Sequence, residues 1–139
     1  MSDNQISFTL DNSIGELDKL SAELETAGRR WQLAPKIVLQ LNLALDELFS
    51  NVVSYGFDKD SAQQVDMTLE LSGDQIRATM VDNGLPFDPT KPLDPELSLP
   101  LEEKNIGGLG IFLARQYVDD LQYRREGEKN IIILMKKIN

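Results

Sequence analysis

The chain contains no cysteine and no histidine in 139 residues. Without cysteine there is no disulfide framework, no thiol nucleophile and no zinc thiolate site. Without histidine there is no Ser-His-Asp triad, no imidazole proton shuttle and no imidazole-bound metal. Positive charge is also scarce. Fourteen Lys and Arg stand against 23 Asp and Glu, a formal net charge of −9. That deficit argues against DNA or RNA as a direct partner, because phosphate neutralisation needs Lys and Arg. No long apolar run reads as a membrane span, and the start, MSDNQISFTL, lacks the basic and apolar blocks of a leader. A cytoplasmic protein is the expectation. Any acid–base chemistry falls to carboxylates, Lys or Tyr. Any metal is a hard cation on oxygen ligands, such as magnesium. A nucleotide remains open as a ligand, since backbone N–H groups can hold its phosphates.

What is present reads as one domain over residues 1–139. Residues 6–10 form a short strand. Ser13 and Glu16 fit a capping box ahead of Leu17, Leu20, Leu24 and Ala27, which recur at helical spacing to about Trp31. Pro35 suits the first turn of a second helix, whose stripe is Ile37, Leu41, Ala44, Leu45, Leu48 and Val52, with Gly56 as its stop. Strict alternation follows at Val65, Met67, Leu69 and Leu71, then at Ile76, Ala78 and Met80, around a Ser72-Gly73-Asp74 turn. Five of the six prolines fall within 83–105, which excludes a regular helix or central strand there and suggests a lid or binding loop. A third helix opens at the glycines 107–110 and extends to about Asp120. A last hairpin, 121–126 and 130–138, turns at Gly127. The order βαα-ββ-loop-α-ββ predicts an α+β two-layer sandwich, with about three helices on one face of a mixed, largely antiparallel sheet.

Three constellations could carry chemistry. Glu47 and Asn51 lie four residues apart in LALDELFSNVVSYGF and share a helix face, apart from the main apolar stripe. They read either as a solvated polar stripe or as a site. Asp82 ends an apolar strand in Val81-Asp82-Asn83-Gly84. It reads either as a turn residue or as a carboxylate on a pocket floor, able to accept from an exocyclic amine such as that of adenine. Ile106-Gly107-Gly108-Leu109-Gly110-Ile111 opens a helix. It reads either as a hinge or as a phosphate cradle built from free N–H groups and the helix dipole. It is no P-loop, since no Gly-Lys-Ser/Thr follows, and no strand precedes it as in a Rossmann fingerprint.

In this order, Asn on a helix, Asp-x-Gly after a strand, a loop, and Gly-x-Gly at a helix start resemble the GHKL (Bergerat) ATP-binding fold of histidine-kinase catalytic domains, gyrase and MutL. ALDELFSNVVSYGF, VDNGLPFDP and GGLGIFLARQYVDDLQYRREGEKNIIILMKK are similar to the stand-alone anti-sigma-factor serine kinases of the RsbW and SpoIIAB type. The resemblance implies that Asn51 coordinates magnesium, Glu47 is the general base, Asp82 reads adenine and Gly84 lets adenine lie against the backbone. It implies a phosphate cradle at Gly107, Gly108, Leu109 and Gly110, and an ATP lid at 88–106. Lys104 is the nearest basic residue before those glycines, slightly offset from where the kinases carry one. Pro86 replaces a frequent glycine, and Ile131-Ile132-Ile133 fill a region where relatives often have an adenine-side Thr. The implied function is phosphorylation of a STAS-type anti-anti-sigma protein by an ATP- and magnesium-using, homodimeric anti-sigma kinase. The alternative is a nucleotide-gated switch that binds sigma factor or antagonist without transferring phosphate.

Overall fold

The computed structural model describes residues 4–55, 64–86, 88–90 and 114–138. Strand β1 (Gln5–Asp11) precedes helices α1 (Leu17–Arg30) and α2 (Pro35–Tyr55). Strands β2 (Gln64–Ser72) and β3 (Gln75–Asp82) follow, then β4 (Asp120–Glu126) and β5 (Lys129–Lys137). The sheet order is β1-β2-β3-β5-β4. The expected α+β class holds, and among the described strands every ladder is antiparallel. The connections explain this. Two helices in succession return the chain to the end of the sheet it left, so β2 runs against β1. The β2–β3 and β4–β5 links are tight hairpins whose glycines, Gly73 and Gly127, take positive φ of 62° and 58°.

Period two fixes which side chains meet the helices. Phe8, Met67, Met80 and Ile132 lie in register across four strands, as do Ile6, Leu69, Ala78 and Leu134. Leu20, Leu24 and Ala27 of α1 and Leu41, Ala44, Leu45, Leu48, Phe49 and Val52 of α2 close the core over them. Helix α2 is long and apolar enough to cross a membrane by composition. One face of it, Leu41, Ala44, Leu45, Leu48, Phe49 and Val52, is instead packed into the core with the sheet, while Leu39 and Leu43 are exposed.

Local capping departs from the expected box. Ser13 Oγ accepts from Gly15 N at 3.3 Å and opens a 3-10 turn, Ile14–Glu16, ahead of α1. Glu16 reaches past Ser13 and accepts from Asp11 N at 2.9 Å. The extra turn moves Glu16 out of position for a reciprocal bond. Lys19 then donates to Thr9 O at 2.7 Å, blunting the unpaired edge of β1. Helical residues 114–116 end the third helix about four residues before the expected Asp120. There Asp119 N already donates to Met135 O at 2.8 Å and its carboxylate takes Lys137 N at 2.6 Å. Pairing with β5 thus begins where helix was expected. Gly56, the expected stop of α2, lies outside the described residues.

Helices α1 and α2 approach closely at Gly28. A Cβ there would sit 2.7 Å from Val38 Cγ2. Gly28→Ala gains helix propensity of about 1 kcal/mol, but the β-branched Val38 is stiff and overpacking costs typically 1–3 kcal/mol. The net expectation is a loss of about 1 kcal/mol in urea unfolding. Combining it with Val38→Ala should cost less than the sum of the two single changes, because the methyl group that clashes is gone.

Candidate functional site

On α2, Asn51 is only 5% exposed. It stands three residues after Leu48 and seven after Ala44, so it prolongs the buried stripe instead of lying apart from it. The solvated-stripe reading therefore fails for Asn51. Its Nδ2 donates to the backbone carbonyl of Glu47 at 2.6 Å. Only nitrogen can donate to that carbonyl, so Oδ1 is the atom left to accept or to coordinate. Glu47, half-buried, sits one turn earlier.

Beside it, Asp46 Oδ1 is buried and meets no hydrogen-bond donor among the described residues. Burial, and secondarily the charge of Glu47, push the Asp46 carboxyl from 3.8 up to about 6. The sign follows directly. A raised acid pKa means that the folded chain holds the proton more tightly than the unfolded chain. The penalty is full above about pH 6, shrinks as pH falls towards 3.8 and is absent below. It would reach about 3 kcal/mol unscreened, and solvent at this half-exposed carboxyl reduces it to about 1 kcal/mol. Asp46→Asn should therefore raise the thermal midpoint at pH 7.5, with the gain disappearing by pH 4. A gain independent of pH would refute the cause.

The second group forms at the ends of β3 and β5. Asp82 continues the inward parity of Ile76, Ala78 and Met80, so it faces the helix side of the sheet and is 3% exposed. Register sets Asn130 directly opposite. Asn130 Nδ2 donates to Asp82 Oδ1 at 2.9 Å and to Leu85 O at 2.8 Å. Gly84 N donates to the same Asp82 oxygen at 2.9 Å, closing a turn. Asn130 Oδ1 accepts from Tyr123 OH at 2.6 Å and from Arg125 at 3.1 Å. Arg125 also donates to Gly84 O at 2.8 Å. A carboxylate, an amide, a phenol and a guanidinium thus converge where the strands end. Asn130, Tyr123 and Arg125 are absent from the expected site. Their signal was the inward parity that Asn130 shares with Ile132 and Leu134, a polar side chain where an apolar one is usual.

Lys104, Gly107, Gly108, Leu109 and Gly110 lie outside the described residues. Of the lid at 88–106, only 88–90 are described. Asp88 Oδ1 accepts from Thr90 N at 2.8 Å and from Thr90 Oγ1 at 2.5 Å. Arg115 donates to Thr90 O at 3.0 Å and so ties that turn to the end of the third helix. Among the described residues no three acidic side chains gather into a metal site.

Comparison with known proteins agrees with this layout. A family model described as a histidine kinase-like ATPase domain matches residues 10–136. The serine/threonine-protein kinase BtrW of Bordetella bronchiseptica is 30% identical over 111 residues, 80% of this chain and 78% of the relative. The serine-protein kinase RsbW of Listeria innocua is 28% identical over 132 residues, 91% of this chain and 80% of the relative. An anti-sigma F factor of Clostridium perfringens is 26% identical over 108 residues, 76% of this chain and 77% of the relative. The solved RsbU and RsbW domains of a Mycobacterium tuberculosis protein align with a TM-score of 0.69 at 17% identity. That match covers 96% of this chain and 32% of the longer one, and it speaks to the fold.

Proposed function

The chain belongs to the histidine kinase-like ATPase family, and from that premise we propose that it is an anti-sigma protein and an ATP-dependent kinase of protein serine or threonine. The observation that carries this reading is the turn of α2 where half-buried Glu47 precedes buried Asn51, whose amide nitrogen is already engaged. A base and an oxygen ligand on one face suit phosphoryl transfer, which needs positioning and charge neutralisation above all. Relatives named as serine-protein kinases and as an anti-sigma F factor support both halves of the reading.

The proposed chemistry is direct. Asp82 accepts a hydrogen bond from the adenine amino group, and Gly84 gives the base room to lie against the backbone. Glu47 takes the proton from the attacking hydroxyl as its oxygen bonds to the γ-phosphorus, and the bond to the β–γ bridging oxygen breaks. Phosphoserine or phosphothreonine and ADP result. Asn51 Oδ1 suits a magnesium ion, a hard cation that takes oxygen ligands and keeps most of its shell as water and phosphate. The ion would neutralise phosphate charge when bound. Gly107, Gly108, Leu109 and Gly110, with Lys104, are proposed to hold the phosphates under a lid at 88–106. This organises residues 1–139 as one nucleotide-binding unit.

The proposed acceptor is a STAS-type anti-anti-sigma protein, and the proposed second partner is a sigma factor, met in the cytoplasm by a homodimer. The net charge of −9 favours a basic protein surface. The test is incubation of the chain with γ-labelled ATP and candidate antagonists. Label on a serine or threonine of the antagonist is expected. Nucleotide-dependent capture of partners with no label on any of them would replace the kinase by a binding switch.

A further inference from the structure

We propose that Asn130, pinned by Tyr123 and Arg125, is a positioning residue that presents Asp82 to the amino group of the bound base. The inference rests on the reading of Asp82 as the adenine acceptor. It adds to that reading a device on the neighbouring hairpin that holds the carboxylate in place.

The device follows from register. Asp82 lies opposite Asn130, Asn130 opposite Arg125, and Ile132 opposite Tyr123. Tyr123, Arg125 and Asn130 therefore share the face of Asp82. A side-chain amide can turn over, exchanging its donor and acceptor ends. Here it cannot do so without loss. Tyr123 OH and Arg125 both donate to Oδ1, at 2.6 and 3.1 Å. Reversal would set an NH2 group against the Arg125 guanidinium, which can only donate, and a carbonyl oxygen against the Asp82 carboxylate and Leu85 O, although the Tyr123 hydroxyl could turn to accept. The nitrogen therefore points at Asp82 Oδ1, 2.9 Å away.

Both hydrogen bonds that Asp82 receives from described residues fall on this one oxygen, from Asn130 and from Gly84 N. Oδ2, which receives none of them, is the oxygen left for an incoming donor. Asn130 has its own ends occupied, by Asp82 and Leu85 O on one side and by Tyr123 and Arg125 on the other. It acts through Asp82 and has no call to touch the base. Arg125 completes the device by holding Gly84 O at 2.8 Å, so the backbone after β3 is tied to the same cation. Asp82 and Asn130 are 3% and 2% exposed, so the bond between them lies away from water and is costly to break, while half-buried Tyr123 and exposed Arg125 hold it from the rim.

The test compares ATP with purine riboside triphosphate, which lacks the 6-amino group, by titration calorimetry on the full chain. Tyr123→Phe keeps the ring and removes the donor, and Arg125→Gln removes the cation at an exposed position. Each should weaken ATP binding about five- to tenfold and leave purine riboside triphosphate unchanged, so the preference for the amino base falls. Asn130→Ala should do the same more strongly, but it empties a buried site, so the Tyr123→Phe result decides. Equal weakening of both nucleotides, or no change in either, overturns the positioning role. Asp82→Asn is the reference. If it abolishes the preference while Tyr123→Phe and Arg125→Gln keep it, the positioning role fails and the reading of Asp82 stands. If the unaltered chain shows no preference for the amino base, the reading of Asp82 fails and the positioning role falls with it.

Discussion

Glu47→Gln is expected to slow phosphate transfer to the partner serine or threonine by about 10²- to 10⁴-fold, the usual worth of a general base, while ATP binding persists. Gln keeps the shape and an acceptor oxygen but cannot take the proton. The rival base is its neighbour. Asp46 has its carboxyl pushed up to about 6, closer than an ordinary carboxyl to the value a base at neutral pH needs. Helix geometry decides between them. Successive residues point about 100° apart, whereas residues four apart share a face. Glu47 therefore shares the face of Asn51, and Asp46 does not. Asp46 Oδ1 is also buried, with no donor among the described residues, a poor place from which to meet a partner's hydroxyl. Single-turnover assays with labelled ATP separate the two. Transfer surviving in Glu47→Gln but lost in Asp46→Asn would move the base by one residue. Transfer lost in Glu47→Gln together with ATP affinity would show a binding role instead.

Much of this layout is legible along the chain, because strand parity and helix spacing are local. Counting by twos from Val65 places Met67 and Leu69 in the core. The same count along β3, from Ile76, brings Asp82 to the buried face. Counting from Leu48 places Asn51 on the inner stripe as well. Polarity groups it with Glu47 instead, yet an amide can be buried once its nitrogen has a partner. What local counting does not carry is register between strands far apart in sequence. Asn130 stands 48 residues from the carboxylate it holds, and only the β3–β5 pairing brings them face to face. The resemblance points to Ile131, Ile132 and Ile133, one residue past the Asn130 that bonds Asp82. The break at Asp120 is of the same kind. Helical periodicity extends through Val118 and Leu121, but pairing with β5 claims the chain first.

Asn51→Ala should remove the magnesium dependence of nucleotide binding, not merely weaken it. In the proposed site the ion has one protein ligand among the described residues, so its hold depends on that oxygen and on the phosphates it bridges. Losing even an outer partner of a metal ligand costs about 10- to 100-fold in metal affinity, and loss of the ligand itself belongs at the upper end. The substitution is mild for the fold in one respect. Alanine is the best helix former, and the bond lost is a side-chain bond to Glu47 O within the same helix. It also leaves a small buried void beside Leu48 and Val52, so the unfolding midpoint is expected to drop and must be measured alongside. Calorimetry with ATP in magnesium and again in EDTA then separates the effects. The unaltered chain should bind ATP far more tightly with magnesium. Asn51→Ala should give one weak affinity in both buffers, about 100-fold below the magnesium value. A general packing defect would lower both affinities and preserve their ratio. That preserved ratio would remove Asn51 from the metal site, and the coordinating oxygen would then have to come from elsewhere in the chain.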